Sequence, residues 1–151
     1  MKLRSKILKL KTKKNFQFID ITDKVGEFVK KEDLKEGQIL IFSRHTTLAV
    51  RVNEKENCFF DDFNKFFNEF IPKDKYYRHN DLKVRTENLV CSDGTRECLN
   101  GHAHCQHLFL GTSETVPVSN GKISLGKWQR ILAIELDGPK QREIYLQLLG
   151  E

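Results

Sequence analysis

No apolar run in this 151-residue chain approaches the roughly 20 residues needed to span a bilayer, so a transmembrane helix is excluded. The first residues, MKLRSKILKLKTKKNF, are basic but hold neither a continuous apolar segment nor a small-residue cleavage site. They do not form a secretory signal. Their alternation of Lys with Ile, Leu and Phe predicts a strand instead. Cys58, Cys91, Cys98 and Cys105 contain no CxxC pair, which argues against a structural zinc site. Without an export signal the four are expected as free thiols in a reducing compartment, and the cytoplasm is the expected location. HExxH, a Gly-rich phosphate loop, an Asp-rich magnesium motif, repeats and low-complexity tracts are all missing. The positive excess is small, +5, and much of it lies in the first fourteen residues. No aromatic platform interleaves with those lysines, so an edge strand protected by lysines accounts for them and nucleic acid is not an expected partner.

What is present describes one soluble domain over residues 1–151, large enough to bury a core without staples. Lys6–Thr12 and Asn15–Ile21 alternate around a polar turn and read as a hairpin. Val25, Phe28 and Val29 stand at helical spacing within Asp23–Lys31. Gln38–Val52 reads as a strand broken at Ser43-Arg44-His45-Thr46-Thr47. In Asn53–Phe70 the residues Phe59, Phe60, Phe63, Phe66, Phe67 and Phe70 form an apolar stripe, expected as core. An irregular segment, Lys73–Leu99, follows Pro72, and segments of that length are often functional. Asn100 is expected to cap a short helix with its side chain, and Gly111 to end it. Asn120-Gly121 between TVPV and KISL is a hairpin turn, because both residues tolerate positive φ.

The strand Trp128–Asp137 splits by parity. Trp128, expected as core, shares a face with Arg130, Leu132, Ile134 and Leu136. Gln129, Glu135 and Asp137 share the other with Ile131 and Ala133. Arg142–Leu149 alternates cleanly as a final strand. The fold class is α+β: a mostly antiparallel sandwich or barrel-like core with two principal helices.

Five polar clusters remain outside this core. They are His45 with its hydroxyl neighbours, Asn53-Glu54 with Glu56, His79-Asn80-Asp81, Asn100 with His102, His104 and His107, and Gln129 with Glu135. Imidazoles and carboxylates from three parts of the chain can compose a divalent metal site. Each group also has an ordinary use: Glu54 and Glu56 beside a helix dipole, Glu135 paired with Arg130 or Arg142, and the histidines as structural hydrogen-bonders.

The order HTT at 45–47, NE at 53–54, HND at 79–81, NGHAH at 100–104, LGTS at 110–113, VPVSNGKISLGKWQRI at 116–131 and ELDGPKQREI at 135–144 resembles the YjbQ family, the secondary thiamine-phosphate synthase type. The resemblance spans nearly the whole chain, and Gly121–Gln129 is its most specific block. It implies a homotrimer with clefts at subunit boundaries. It also implies transfer of an aminopyrimidine methyl group from its diphosphate to a thiazole phosphate, releasing pyrophosphate. His45, Glu54, His104, Gln129 and Glu135 are the implied catalytic positions, and His45, His79 and His104 the implied ligands of a divalent metal, zinc or magnesium. Arg44, Asn100, Lys127, Trp128 and Arg130 are the expected contacts to a small phosphorylated ligand, with Arg85 a further basic candidate. The chain departs from relatives at Asn80, where they carry Asp, and at Lys127, where they carry Thr. The stretch Cys91–Leu99 reads as a local elaboration.

Overall fold

The computed structural model describes residues 1–90 and 98–151, so Cys91 and most of the expected 91–99 elaboration lie outside the described residues. In chain order the elements are β1 (Lys2–Lys11), β2 (Gln17–Asp20), α1 (Thr22–Lys31), β3 (Gly37–Ser43), β4 (Leu48–Glu54) and α2 (Asn57–Phe70). A 3₁₀ turn at Arg78–Asn80 follows. The chain then forms α3 (Gly101–Leu110), β5 (Ser113–Ser119), β6 (Lys122–Ile123), β7 (Gln129–Glu135) and β8 (Gln141–Gly150). Every strand pair is antiparallel. One sheet has the order β1-β8-β3-β5-β6 and the other β2-β7-β4. The α+β class with an antiparallel two-sheet core is thus the observed one, and among the described residues three α-helices pack on it.

β7 divides the molecule. Its Ile131 and Ala133 belong to a core shared with α1, Ile39, Ile41, Ile144, Leu146 and Leu148. Its Leu132 and Ile134, with Leu136 just beyond, belong to a second core under α2 and α3. From Ile131 onward both faces of this strand are therefore buried, Glu135 included. The layers run from five-stranded sheet to three-stranded sheet to helices, and α1 closes the first core at one side.

Several local expectations change. β1 and β2 do not form a hairpin: β1 pairs with β8 and β2 with β7, in different sheets. β1 is an edge strand, as its lysines predict. The interruption after Ser43 is the crossing from β3 in one sheet to β4 in the other. Asn53 and Glu54 belong to β4, and α2 begins only at Asn57, where the Glu56 carboxylate accepts from the Cys58 and Phe59 amides, both at 2.7 Å. The Asn120-Gly121 turn is as read, with φ of 51° and 75°. Trp128 is not core but 65% exposed. Cys58 and Cys105 are free thiols, but Cys98 is disulfide-bonded, against the expectation of free thiols throughout. Among the described residues no helix is long and apolar enough to cross a membrane.

Candidate functional site

A cleft of about 390 Å³ opens at one end of the two-sheet core. The β3–β4 crossing supplies Arg44, His45, Thr46 and Thr47, and the 3₁₀ turn supplies His79. Asn100 and His104 come from the start of α3, Lys140 and Arg142 from the start of β8, and Arg85, Asn88, Val90 and Cys98 from the irregular segment. The chain path therefore brings His45, His79 and His104 to one cavity, with Arg44 and Asn100.

The closeness of His79 to His104 has a local cause. A Cβ on Gly101 would lie 2.7 Å from Tyr77 Cβ and 3.1 Å from Asn80 Oδ1. Only glycine lets the 3₁₀ turn sit this tightly against α3. The Asn80 carboxamide oxygen accepts from the Gly101 amide at 2.9 Å and so caps the helix. Asn100 holds the N-cap position but makes no side-chain cap bond, contrary to expectation. Its carboxamide instead meets His79 Nε2 at 3.2 Å and donates to Asp137 Oδ2 at 2.8 Å. The two imidazole rings end 4.6 Å apart between centroids.

His45 is tied to the wall differently. Its Nε2 accepts from the Glu143 backbone amide at 2.8 Å, so in the neutral ring the proton sits on Nδ1. All three cleft histidines have their pKa pushed below the ordinary value. Burial is the first cause in each. It is reinforced by Arg142 for His45, by Arg85 for His79 (against the Asn100 bond) and by His79 for His104. The cleft therefore carries neutral rings near pH 7.

Its fixed charge comes from four cations. Arg142 is buried in a two-armed pair with Glu135 and also donates to Thr47 Oγ1 at 2.9 Å. Lys140 meets Asp137 at 2.6 Å, and Arg44 meets Glu143 at 3.1 Å. Arg85 differs. It donates to the main-chain oxygens of His79, Glu87, Asn88 and Cys98, and no carboxylate among the described residues pairs with it. Among the described residues, one positive charge beside the histidines is thus without a carboxylate counter-ion.

The remaining predicted positions do not converge here. Glu135 is fully buried, accepting from Arg142, from Thr12 Oγ1 at 2.9 Å and from the Asp137 amide at 3.0 Å. It is a structural counter-ion with no face on the cleft. Glu54 and Gln129 pair with each other across β4 and β7, six residues from Glu135. At the rise of an antiparallel strand that is about 20 Å away. Gln129 Oε1 accepts from the Gly126 amide at 2.8 Å, Arg130 is held by Asp20 and Asp23, and Lys127 Nζ lies 4.7 Å from the centre of the exposed Trp128 ring. In a single chain these five residues form a second, separate group. Lys140 lines the cleft and Asp137 holds both it and Asn100, but neither is among the predicted site residues. Their signal lay in the turn LDGPK, where a carboxylate and an amine stand three residues apart.

A divalent metal is poorly served. His45 spends Nε2 on a backbone amide, Glu135 is enclosed, and Glu54 is distant. Among the described residues no three His, Cys, Asp or Glu side chains are grouped to hold an ion. His79 and His104 alone do not make a ligand set. The cleft's donors suit an anion better than a cation.

The sequence profile described as "UPF0047 protein YjbQ-like" matches residues 6–151. A UPF0047 protein of Archaeoglobus fulgidus is 37% identical over 94% of this chain and 98% of its own. UPF0047 protein YugU of Bacillus subtilis is 32% identical over 96% and 98%. The crystal structure of a YbjQ-like protein of unknown function from Sulfolobus solfataricus P2 superposes with a TM-score of 0.85, at 34% identity over 99% of both chains. A YjbQ/UPF0047 protein from Clostridium acetobutylicum gives 0.80 at 29% identity, over 95% and 98%. With the fold matched along its whole length and the profile covering nearly every residue, the chain belongs to the YjbQ-like UPF0047 family.

Proposed function

We propose that the cleft binds a small phosphorylated molecule and that the chain is an enzyme acting on it, in the manner of a secondary thiamine-phosphate synthase. The observation that carries this reading is Arg85, a cation that no carboxylate among the described residues pairs with, set beside three neutral imidazoles in a cavity of substrate size. In the reaction the thiazole ring nitrogen attacks the pyrimidine methylene. A C–N bond forms, the C–O bond to the diphosphate breaks, and the electron pair leaves on the diphosphate oxygen. That developing charge is what Arg44, Arg85 and the His45 Nδ1–H would stabilise. No proton need be removed first, which suits rings that are neutral and carboxylates that are enclosed. A metal ion held by the protein is not part of this scheme.

A second reading, a small-anion binder without turnover, is favoured by the three carboxylates that offset Arg44, Lys140 and Arg142. Product analysis separates the two. The purified chain is incubated with aminopyrimidine methyl diphosphate and thiazole phosphate, and thiamine phosphate and pyrophosphate are measured. Formation of both, lost in His104→Ala and His45→Ala with the fold intact, supports the enzyme. Saturable pyrophosphate binding with no product supports the binder.

The assembly proposed is a homotrimer of this chain. Ile7, Tyr145 and Phe42 lie in one cross-strand row on the outer face of the five-stranded sheet, with Leu40, Leu3 and Leu149 beside them. Among the described residues no element packs on that face, and Glu143, which holds Arg44 at the cleft rim, stands two residues from Tyr145. A copy docked there would border the cleft.

A further inference from the structure

The hydrogen bonds around the cleft assign each of two imidazoles a definite role. Asp137 is the fixed point. Burial pushes its carboxyl up, but the bonds from Lys140 and Asn100 outweigh this and hold it below the ordinary carboxylate value. A carboxylate can only accept, so the Asn100 group facing Asp137 Oδ2 must be its NH₂. The carboxamide oxygen is thereby turned toward His79, and Nε2, 3.2 Å away, must donate to it. The lone pair of neutral His79 is then on Nδ1. His45 is set the opposite way, because the Glu143 amide can only donate and takes the Nε2 lone pair. Nδ1 of neither ring has a protein partner among the described residues.

We infer that Lys140, Asp137 and Asn100 are a positioning chain that fixes His79 as the hydrogen-bond acceptor of the cleft, opposite a His45 fixed as a hydrogen-bond donor. The pair selects a ligand that brings an acceptor oxygen to His45 Nδ1–H and a hydroxyl or amino N–H to His79 Nδ1. A phosphorylated compound with a protic group close to its phosphate meets both demands, whereas a bare anion meets only the first. The ligand class rests on the anion-cleft reading of the preceding section; the tautomers rest on the hydrogen bonds alone.

The test is a long-range proton–nitrogen correlation spectrum of the full chain labelled with ¹⁵N-histidine at pH 7.5, with His45→Gln and His79→Gln used for assignment. The expected pattern is Nδ1–H for His45 and Nε2–H for His79. In Asp137→Ala the Asn100 carboxamide is free to flip. His79 is then expected to pass from one tautomer to a mixture while His45 stays unchanged, a local shift that general loosening would not produce. His79 protonated on Nδ1 in the native chain, or His45 protonated on Nε2, overturns the inference without any variant having to fold. A single unchanged His79 tautomer in folded Asp137→Ala overturns the positioning role. Titration with inorganic phosphate and then phosphoethanolamine completes the experiment: both are expected to shift His45, and only the second His79. Absence of any phosphate shift with the tautomers as stated removes the anion reading and its ligand class alone. Equal His79 shifts with both ligands overturn the donor–acceptor selectivity.

Discussion

Glu135 illustrates how a residue's type misleads without its surroundings. A carboxylate on an apolar strand reads as a site, yet its oxygens are occupied by Arg142, Thr12 and a backbone amide in a fully enclosed setting. Removing one partner of such a pair strands the other charge in low dielectric. Glu135→Ala is therefore expected to cost about 3–5 kcal/mol, measured by denaturant unfolding, and to leave little folded protein for assay. His102 is the converse. It is 2% exposed, and neither ring nitrogen has a partner. Its ring is held neutral below the ordinary value of 6.5, first by burial and then by Lys73, and the other four histidines are depressed as well. On acidification the unfolded chain takes up protons before the folded one, so stability falls as the pH drops through 6.5. The Asp137 carboxyl adds its own loss only below its ordinary 3.8. Melting temperature is thus expected to decline as the pH falls below about 6.5. His102→Leu, which removes both unpartnered nitrogens, should flatten that decline without loss at pH 7. An equally steep slope in the variant would remove His102 from the account. His45, His79 and His104 were legible as candidates from their short polar contexts, whereas the tautomers and the enclosure of Glu135 depend on contacts between separate segments, from 21 residues apart for His79 with Asn100 to 123 for Thr12 with Glu135.

At the scale of elements, periodicity identifies α2 but not how far it turns toward the core. At about 100° per residue, Phe60, Phe63 and Phe67 fall within an arc of about 60°, and Phe59, Phe66 and Phe70 within a neighbouring arc of about 40°. Only the first group faces the second core. Phe66 and Phe70 are each 55% exposed, and Phe109 of α3, 62% exposed, meets Phe70 edge-on with centroids 5.5 Å apart. Six phenylalanines on one helix are more than a single docking face can cover. The junction of the 3₁₀ turn with α3 is the element on which the cleft depends, and its sequence sign is the NG of NGHAH. Asn80→Ala should cost about 1 kcal/mol by leaving the Gly101 amide uncapped. Asn80→Asp should be neutral or slightly stabilising, since a carboxylate caps as well and favours a helix N-terminus. Gly101→Ala must push Tyr77 outward and is expected to cost about 1–3 kcal/mol. It should also separate His79 from His104, seen as loss of their mutual chemical-shift perturbation on titration. If Gly101→Ala leaves both stability and those shifts untouched, close packing does not set the pair.

For the whole molecule, the alternating strands made the α+β class legible, and the NG hairpin and final strand fell where their patterns place them. Pairing was not legible, because β1 and β2 carry no local signal that they enter different sheets. Nor does a sequence say which of two apolar faces is covered within one chain. β3 carries that ambiguity in its run Ile39-Leu40-Ile41-Phe42: Ile39 and Ile41 are fully buried, while Phe42 is 39% exposed on the outside of the sheet. A run apolar on both faces is what a strand covered on both sides requires. Here, among the described residues, only one side is covered. Ile7, 42% exposed, and the half-buried Tyr145 extend the row across β1 and β8, a patch of the kind that marks an interface. The separated group of Glu54, Gln129 and Trp128 gives the proposed assembly a further consequence: it lies about 20 Å from Glu135 along its own strand, and a neighbouring copy could bring it to a cleft. Phe42→Glu places a charge at the centre of the outer face without touching either core. If the proposed trimer forms through this face, sedimentation is expected to shift from trimer to monomer with circular dichroism unchanged, and pyrophosphate affinity is expected to fall if a neighbour completes the cleft. A trimer that survives Phe42→Glu and Tyr145→Glu together would move the interface elsewhere, with the exposed Phe66, Phe70 and Phe109 rings the next surface to charge.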